Sequence, residues 1–435
     1  MIVDKLKKNK FLIIAFVLFC ISYFSYDLVV DKRTREDIKF WIDDNINYRV
    51  DIITNALQKN KNFLNRYYND YNEEFLPETQ NNILDLNLIK LNFIRTLQLD
   101  FLKNEPDGNN LLSFFIEFYQ ENKLIIVDSR ANVFILEDFD KKQVFEIEHV
   151  THLKSDLTKK VDRVLDSHLF ENKLFISFES REKNKCKNFM IFVADINKEI
   201  LEFDKFFEDK NCKTILNSGR MQHYVLDGKE GLLFSASAAI YDKPNNEPQD
   251  EISNFGKILF KNFKTKEVSI ISKGHRLILG LLINDDNSII ATENGPRGGD
   301  EINKIIFGGN YGWPIASYGR RYDSDYEDNP LNYQQDHENN GYIEPIFSFI
   351  PSIGISEIIK IPNEFIGNWI DNYLIASLNK RALFRVKFNK DKDKLLFYEE
   401  IYIGSRIRDL KYYKGTKSIL LALEDRAVLG ILKSN

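Results

Sequence analysis

The chain has 435 residues, 43% hydrophobic and 13% aromatic with 34 Phe and 20 Tyr, a composition that supports a sizeable core and excludes a disordered chain. Its 60 basic and 65 acidic residues nearly cancel, at a formal net charge of −5, so no nucleic-acid partner is expected, since that requires a clustered basic excess. Three cysteines, Cys20, Cys186 and Cys212, are too few for a disulfide scaffold or a cysteine zinc module, although a Cys186–Cys212 bridge stays open in an oxidising compartment.

Residues 1–10 carry Lys5, Lys7, Lys8 and Lys10, and Phe11 to Tyr26 holds no charge, with apolar character resuming at Leu28–Val30. At ~1.5 Å per residue, the segment 11–30 is long enough for a hydrocarbon layer of ~30 Å. No small-x-small cleavage site follows it, and Phe19 before Cys20 argues against a lipidated cysteine. An uncleaved transmembrane anchor is therefore preferred to a cleaved leader. The preceding lysines place a tail of residues 1–10 in the cytoplasm and the rest outside, periplasmic or at the cell surface. Residues 31–85 read as a helical stem and linker. Ile38, Trp41, Ile42, Ile46, Val50, Ile53, Leu57, Leu64 and Tyr67 recur at three- and four-residue steps, with no proline before Pro77.

From residue 86 to the end the pattern changes to short β-type runs. Glu121-Asn122-Lys123-Leu124 returns as Glu171-Asn172-Lys173-Leu174, each followed by an apolar run, Ile125–Val127 and Phe175–Phe178. Equivalent runs occur at Leu232–Phe234, Ile289–Ala291, Leu374–Ala376 and Ile419–Ala422, making six. Partner strands follow at Ala131–Leu136, Phe189–Ala194, Gly256–Phe260, Ala382–Phe388 and Ala427–Leu432. Runs that are apolar throughout belong to sheets covered on both faces. Six such units predict an all-β, six-bladed β-propeller, with Leu88–Ile94 as the strand that closes the ring; a pair of β-sandwiches is the other architecture to weigh.

The densest glycine stretch is Ala291–Pro314, ATENGPRGGDEINKIIFGGNYGWP. Glycines this close let backbone carbonyls approach a ligand, although an elaborate turn needs no ligand at all. With Ser405-Arg406-Ile407-Arg408-Asp409 near the C-terminus, GPRGGDEIN and GGNYGWP resemble the signature of the glucose/sorbosone dehydrogenase family, six-bladed quinoproteins that use pyrroloquinoline quinone (PQQ) and calcium. The resemblance covers most of residues 112–432. It implies quinone contacts from Arg276, Asn294, Gly295, Pro296, Ser352, Arg406 and Arg408, with Arg276 polarising the reactive quinone carbonyl. It also implies calcium bound by the carbonyls of Gly295 and Pro296, and additional calcium near Glu301 and Tyr311. Guanidinium forks suit a tricarboxylate quinone, while the residues alone would equally allow strand-end ion pairs.

The departures bear on catalysis. Where the family pattern His-x-x-Gly-Arg has its general base, Leu216 stands before Asn217-Ser218-Gly219-Arg220. Loss of such a base typically costs ~10²–10⁴ in rate. Ala238, Leu277 and Asn379 replace the family's aspartate, asparagine and lysine; Asn294 and Ser352 are milder exchanges. His223 and His275 are the histidines that would have to substitute as the base. Two functions follow: a membrane-anchored, diverged sugar or alcohol oxidoreductase, or a non-catalytic extracytoplasmic propeller that binds a protein or glycan through its axial face.

Overall fold

The computed structural model describes residues 82–86, 89–99, 102, 112–120, 123–137, 149–180, 187–211, 218–236, 247–320, 333–425 and 427–434. The expected anchor, nearly all of the stem, Leu216, Ala238, Cys186 and Cys212 lie outside them. Among the described residues no helix is long and apolar enough to cross a membrane.

Among the described residues there are six sheets of four or five strands. Their innermost strands are Phe114–Phe118, Val161–Phe170, Met221–Leu226, Ile278–Ile283, Ile355–Lys360 and Ile407–Tyr413, which touch one another in sequence around a closed circle. This is a six-bladed propeller. In every blade the next strand outward is one of the six apolar runs, for example Lys123–Asp128 in the first blade and Ser418–Leu423 in the sixth. The side chains of Leu124, Ile125, Ile126 and Val127 are all fully buried, as are those of Ile419, Leu420, Leu421 and Ala422. Alternate residues of such a strand enter opposite interfaces, so neither face tolerates a polar group.

Six apolar clusters fill the six interfaces. One packs Phe115, Val127 and Val133 of the first blade on Val164, Ile176 and Phe178 of the second. Another joins Phe114, Ile116 and Ile126 of the first blade to Leu420, Leu429 and Ile431 of the sixth. Each fully buried aliphatic side chain contributes about 1.5–3 kcal/mol relative to exposure.

The ring is closed by chain ends. Ile89–Gln98 pairs antiparallel with Val428–Ser434, from Leu91↔Ser434 to Gln98↔Val428, and so completes the C-terminal blade. The expected closing strand is thus found, somewhat longer than anticipated. A further strand, Asn82–Leu86, pairs with it in the stretch read from sequence as the end of the linker.

All innermost strands begin on the same axial face, because each blade repeats the same up-and-down order. That face therefore gathers the residues that precede each innermost strand, such as Arg276, Ser352 and Arg406. It also gathers those that end each second strand, such as Gly295, Asn379 and Glu424.

Candidate functional site

The Gly-Pro corner leaves the strand Ile289–Glu293 and is shaped by one carboxylate. Asp300, fully buried, accepts from Gly295 N at 3.0 Å and Ser352 Oγ at 2.8 Å through Oδ1, and from Ile353 N and Ile355 N at 2.9 Å each through Oδ2. It ties the corner to the start of the next blade. A Cβ on Gly295 would lie 2.1 Å from Gly299 O, so only glycine fits there. Pro296 O receives a long contact from Ser352 Oγ at 3.5 Å.

Arg276 turns toward this corner. Its Nη1 donates to Asn294 O and Gly295 O at 2.7 Å each, and lies 3.3 Å from Asn294 Oδ1. Its guanidinium carbon sits 5.4 Å from the Trp313 ring centre, and its backbone N–H donates to Glu293. The residue is 3% exposed. Calcium on the Gly295 carbonyl would stand roughly 4 Å from this guanidinium, a repulsion on the order of 8 kcal/mol for a divalent ion at an effective dielectric of about 20. The corner as folded does not suit calcium. Among the described residues there is also no group of three or more His, Cys, Asp or Glu arranged to hold a metal ion.

Glu301 and Tyr311 have other occupations. Glu301 is buried beside Asn303 Nδ2 at 3.3 Å and His337 Nε2 at 3.7 Å, and burial followed by the nearby Glu293 pushes its carboxyl well up. The Tyr311 hydroxyl donates to Lys304 O and accepts from Ile306 N, while its ring stacks on His275 at 4.5 Å.

The arginine pair sits two blades on. Arg406 Nε and Arg408 Nε donate to opposite oxygens of Glu424, at 2.8 and 2.7 Å, and Ser113 Oγ adds a third hydrogen bond at 2.8 Å. Burial alone would raise the Glu424 carboxyl, but Arg408 and Arg406 outweigh it and bring it down to about 2. The arginine side chains keep 26% and 18% exposure while the carboxylate has none. Two cations thus share one anion and keep solvent access, which is what a carboxylate ligand needs. A continuous path joins pair and corner: Ser352 bonds Asp300, Ile353 O accepts from Lys380 N, and Leu378 O lies 3.4 Å from Arg406 Nη1. The donor set, with Arg276, suits a polycarboxylate such as PQQ.

Neither histidine substitutes as a base at the corner. His275 is 1% exposed, with Nδ1 on Glu293 at 2.9 Å and Nε2 on Ser272 at 2.8 Å. His223 stacks on Phe170 at 3.7 Å within the wall between two blades. Leu277 is 5% exposed, and Asn379 is exposed on the face.

Below the arginine pair lies an ionic hub on the propeller axis. Arg220, 3% exposed, donates from Nη1 to Asp166 at 2.9 Å, from Nε to Leu279 O at 2.6 Å and from Nη2 to Arg408 O at 2.8 Å. Nη1 is also 2.8 Å from Glu357 and 3.6 Å from Asp409, and the guanidinium carbon is 5.3 Å from the Phe115 ring centre. Lys411 pairs with Glu117 at 2.9 Å. Burial, only partly offset by Arg220 or Lys411, pushes the carboxyls of Glu117, Asp166 and Glu357 up to about 7 each. Sequence reasoning singled out neither Asp300, Glu424 nor this hub. Asp300 was signalled by its place beside the glycine loop and Asp409 by the motif Ser405-Arg406-Ile407-Arg408-Asp409; Glu424, Glu117, Asp166 and Glu357 come from distant strands and carry no local signal.

Comparison with known proteins agrees with this architecture. The glucose/sorbosone dehydrogenase family pattern matches residues 113–432. Aldose sugar dehydrogenase YliI of Escherichia coli is 29% identical over 224 residues, 48% of this chain and 58% of that protein. The chain spans about half the length of the curated relatives it matches. Among solved structures, the apo soluble aldose sugar dehydrogenase from Escherichia coli superposes with a TM-score of 0.62 at 19% identity, covering 78% of this chain and 99% of that one. The PQQ-bound aldose sugar dehydrogenase from Streptomyces coelicolor gives 0.53 at 18% identity, covering 78% and 98%; both show likeness of fold. With the family pattern running across nearly the whole ring of blades, the chain belongs to the glucose/sorbosone dehydrogenase family.

Proposed function

We propose that this propeller binds a polycarboxylate quinone, PQQ, on its axial face and is a diverged oxidoreductase of sugar or alcohol CH–OH groups, held outside the cytoplasmic membrane by residues 11–30. The observation that carries it is the Arg406–Arg408 pair sharing buried Glu424 on the same face as Arg276 and the Gly-Pro corner. Bound there, the quinone would supply the two-electron acceptor for a hydride. Arg406 and Arg408 would hold carboxylates with their terminal amino groups, since their Nε atoms serve Glu424. Asp300 would fix the corner through Gly295 and Ser352, and Leu277 would present an apolar wall.

A second reading, an axial binder of protein or glycan without turnover, draws on Leu216 and Ala238 at the family's base and aspartate positions. It also draws on His275 having both ring nitrogens engaged. The test uses the full chain in detergent. PQQ binding is followed by its visible spectrum and by calorimetry, then dye reduction is assayed with a panel of aldoses. Binding with turnover is the expected result, and Arg406→Ala should weaken binding by roughly tenfold or more, the loss of about one charge-assisted contact. Binding without turnover selects the second reading. No quinone binding refutes the first.

A further inference from the structure

The geometry points to Arg276 as the resident cation of the Gly-Pro corner: it occupies the carbonyl that calcium would take, so the corner admits a carboxylate-bearing ligand without a metal. The second half of this statement rests on the quinone-site reading above; the first half does not.

Four constraints hold the guanidinium in place. Its Nη1 bonds two successive carbonyls, Asn294 O and Gly295 O, both at 2.7 Å. Trp313 stacks beside its carbon at 5.4 Å. Its backbone N–H is clamped by Glu293, which His275 holds from the other side. Burial to 3% leaves little room for another rotamer. The acceptor is equally fixed, because Gly295 N is tied to Asp300 and no side chain fits on its Cα. With one lone pair of the Gly295 carbonyl taken by the guanidinium, a dication would have to share that oxygen with a positive group, and the two cations repel. Arginine remains charged at every accessible pH, so the position is never vacated by deprotonation.

Trp313 provides a reporter, since an indole next to a bound terbium ion sensitises its emission and terbium replaces calcium at oxygen sites. Terbium is titrated into the full chain, into Arg276→Gln and into Trp313→Phe, with calcium as competitor. The wild type should give no calcium-displaceable emission up to millimolar ion. Arg276→Gln keeps a donor of similar shape without the charge, and should gain at least roughly tenfold in ion affinity. Tight, calcium-displaceable emission from the wild type that Trp313→Phe abolishes would overturn the assignment, as would an Arg276→Gln variant that is folded by circular dichroism yet gains nothing.

A second arm measures PQQ binding by equilibrium dialysis with excess EDTA and with excess calcium. Affinities within about twofold of each other support the metal-free corner, whereas binding about tenfold tighter with calcium contradicts it. Failure to bind in both conditions removes the quinone reading, and the terbium titration still decides where the cation resides.

Discussion

Two buried charge clusters, one at the axial face and one beneath it, are built from the same residue types in opposite proportions. At the face Arg406 and Arg408 share Glu424. In the hub Arg220 and Lys411 are set against Glu117, Asp166, Glu357 and Asp409. Burial raises all of these carboxyls; at Glu424 Arg408 and Arg406 outweigh it and bring the group down to about 2, while at Glu117, Asp166 and Glu357 Lys411 or Arg220 offsets it only in part and they stand at about 7. Excess positive charge with partial exposure leaves work for an anionic ligand. In the hub the excess is negative: Arg220 and the four carboxylates are buried, Lys411 keeps 22% exposure, and the cluster ties blades together. The number of cations alone does not distinguish the two clusters; the balance of charge does.

The largest effect expected from breaking this contrast is in the hub. Arg220→Met should lower the unfolding free energy by about 3–5 kcal/mol, because it leaves carboxylates buried without their shared cation. Urea denaturation measures this, and a loss below about 1 kcal/mol would mean that the hub is not what couples the blades. The loss should shrink in mild acid, where the carboxyls are neutral.

Glu424→Gln addresses the face. It should cost about 1.5–3 kcal/mol, the range for hydrogen bonds to charged groups, and also tighten a carboxylate ligand by freeing positive charge. Loss of stability together with weaker ligand binding would show that Glu424 chiefly orients the pair.

The pH dependence separates the two clusters without mutation. The hub carboxyls have folded pKa values raised from about 4 to about 7, so the folded state binds more protons between those values. Their contribution is complete below about pH 4 and is lost as pH rises through about 7. Glu424, depressed instead, contributes above about pH 4.5 and loses that only as pH falls toward 2. Thermal midpoints should therefore decline from about pH 5 to about pH 8, and a rise over that interval would contradict the hub assignment. The smallest effect is Ser352→Ala, about 1 kcal/mol for one neutral hydroxyl donating to Asp300, seen as a small shift in midpoint.

Much of the ring was legible in the chain. The six apolar runs became the second strand of the six blades, since a strand buried on both faces needs apolar residues at every position, and that requirement is written locally. The closing strand was legible for the same reason, together with the need for the sixth blade to be completed. The glycine corner was legible because only glycine lets residue 295 pack so close to the carbonyls of Gly298 and Gly299. The direction of Arg276 was not legible: its number in the chain says nothing of whether its guanidinium reaches a ligand or the carbonyls of residues 294 and 295.

By itself the sequence determined the strand repeat, the number of blades, the glycine corner and the arginine pair, because each depends on residues within a few positions of one another. Which donor from another blade meets which carboxylate is settled by the fold alone. Glu424 with Ser113, Asp300 with Ser352 and Arg220 with Asp166, Glu357 and Asp409 are partners brought from separate blades. Electrostatic partnership acts through space at a few ångströms, and no local pattern along the chain encodes it until the ring closes.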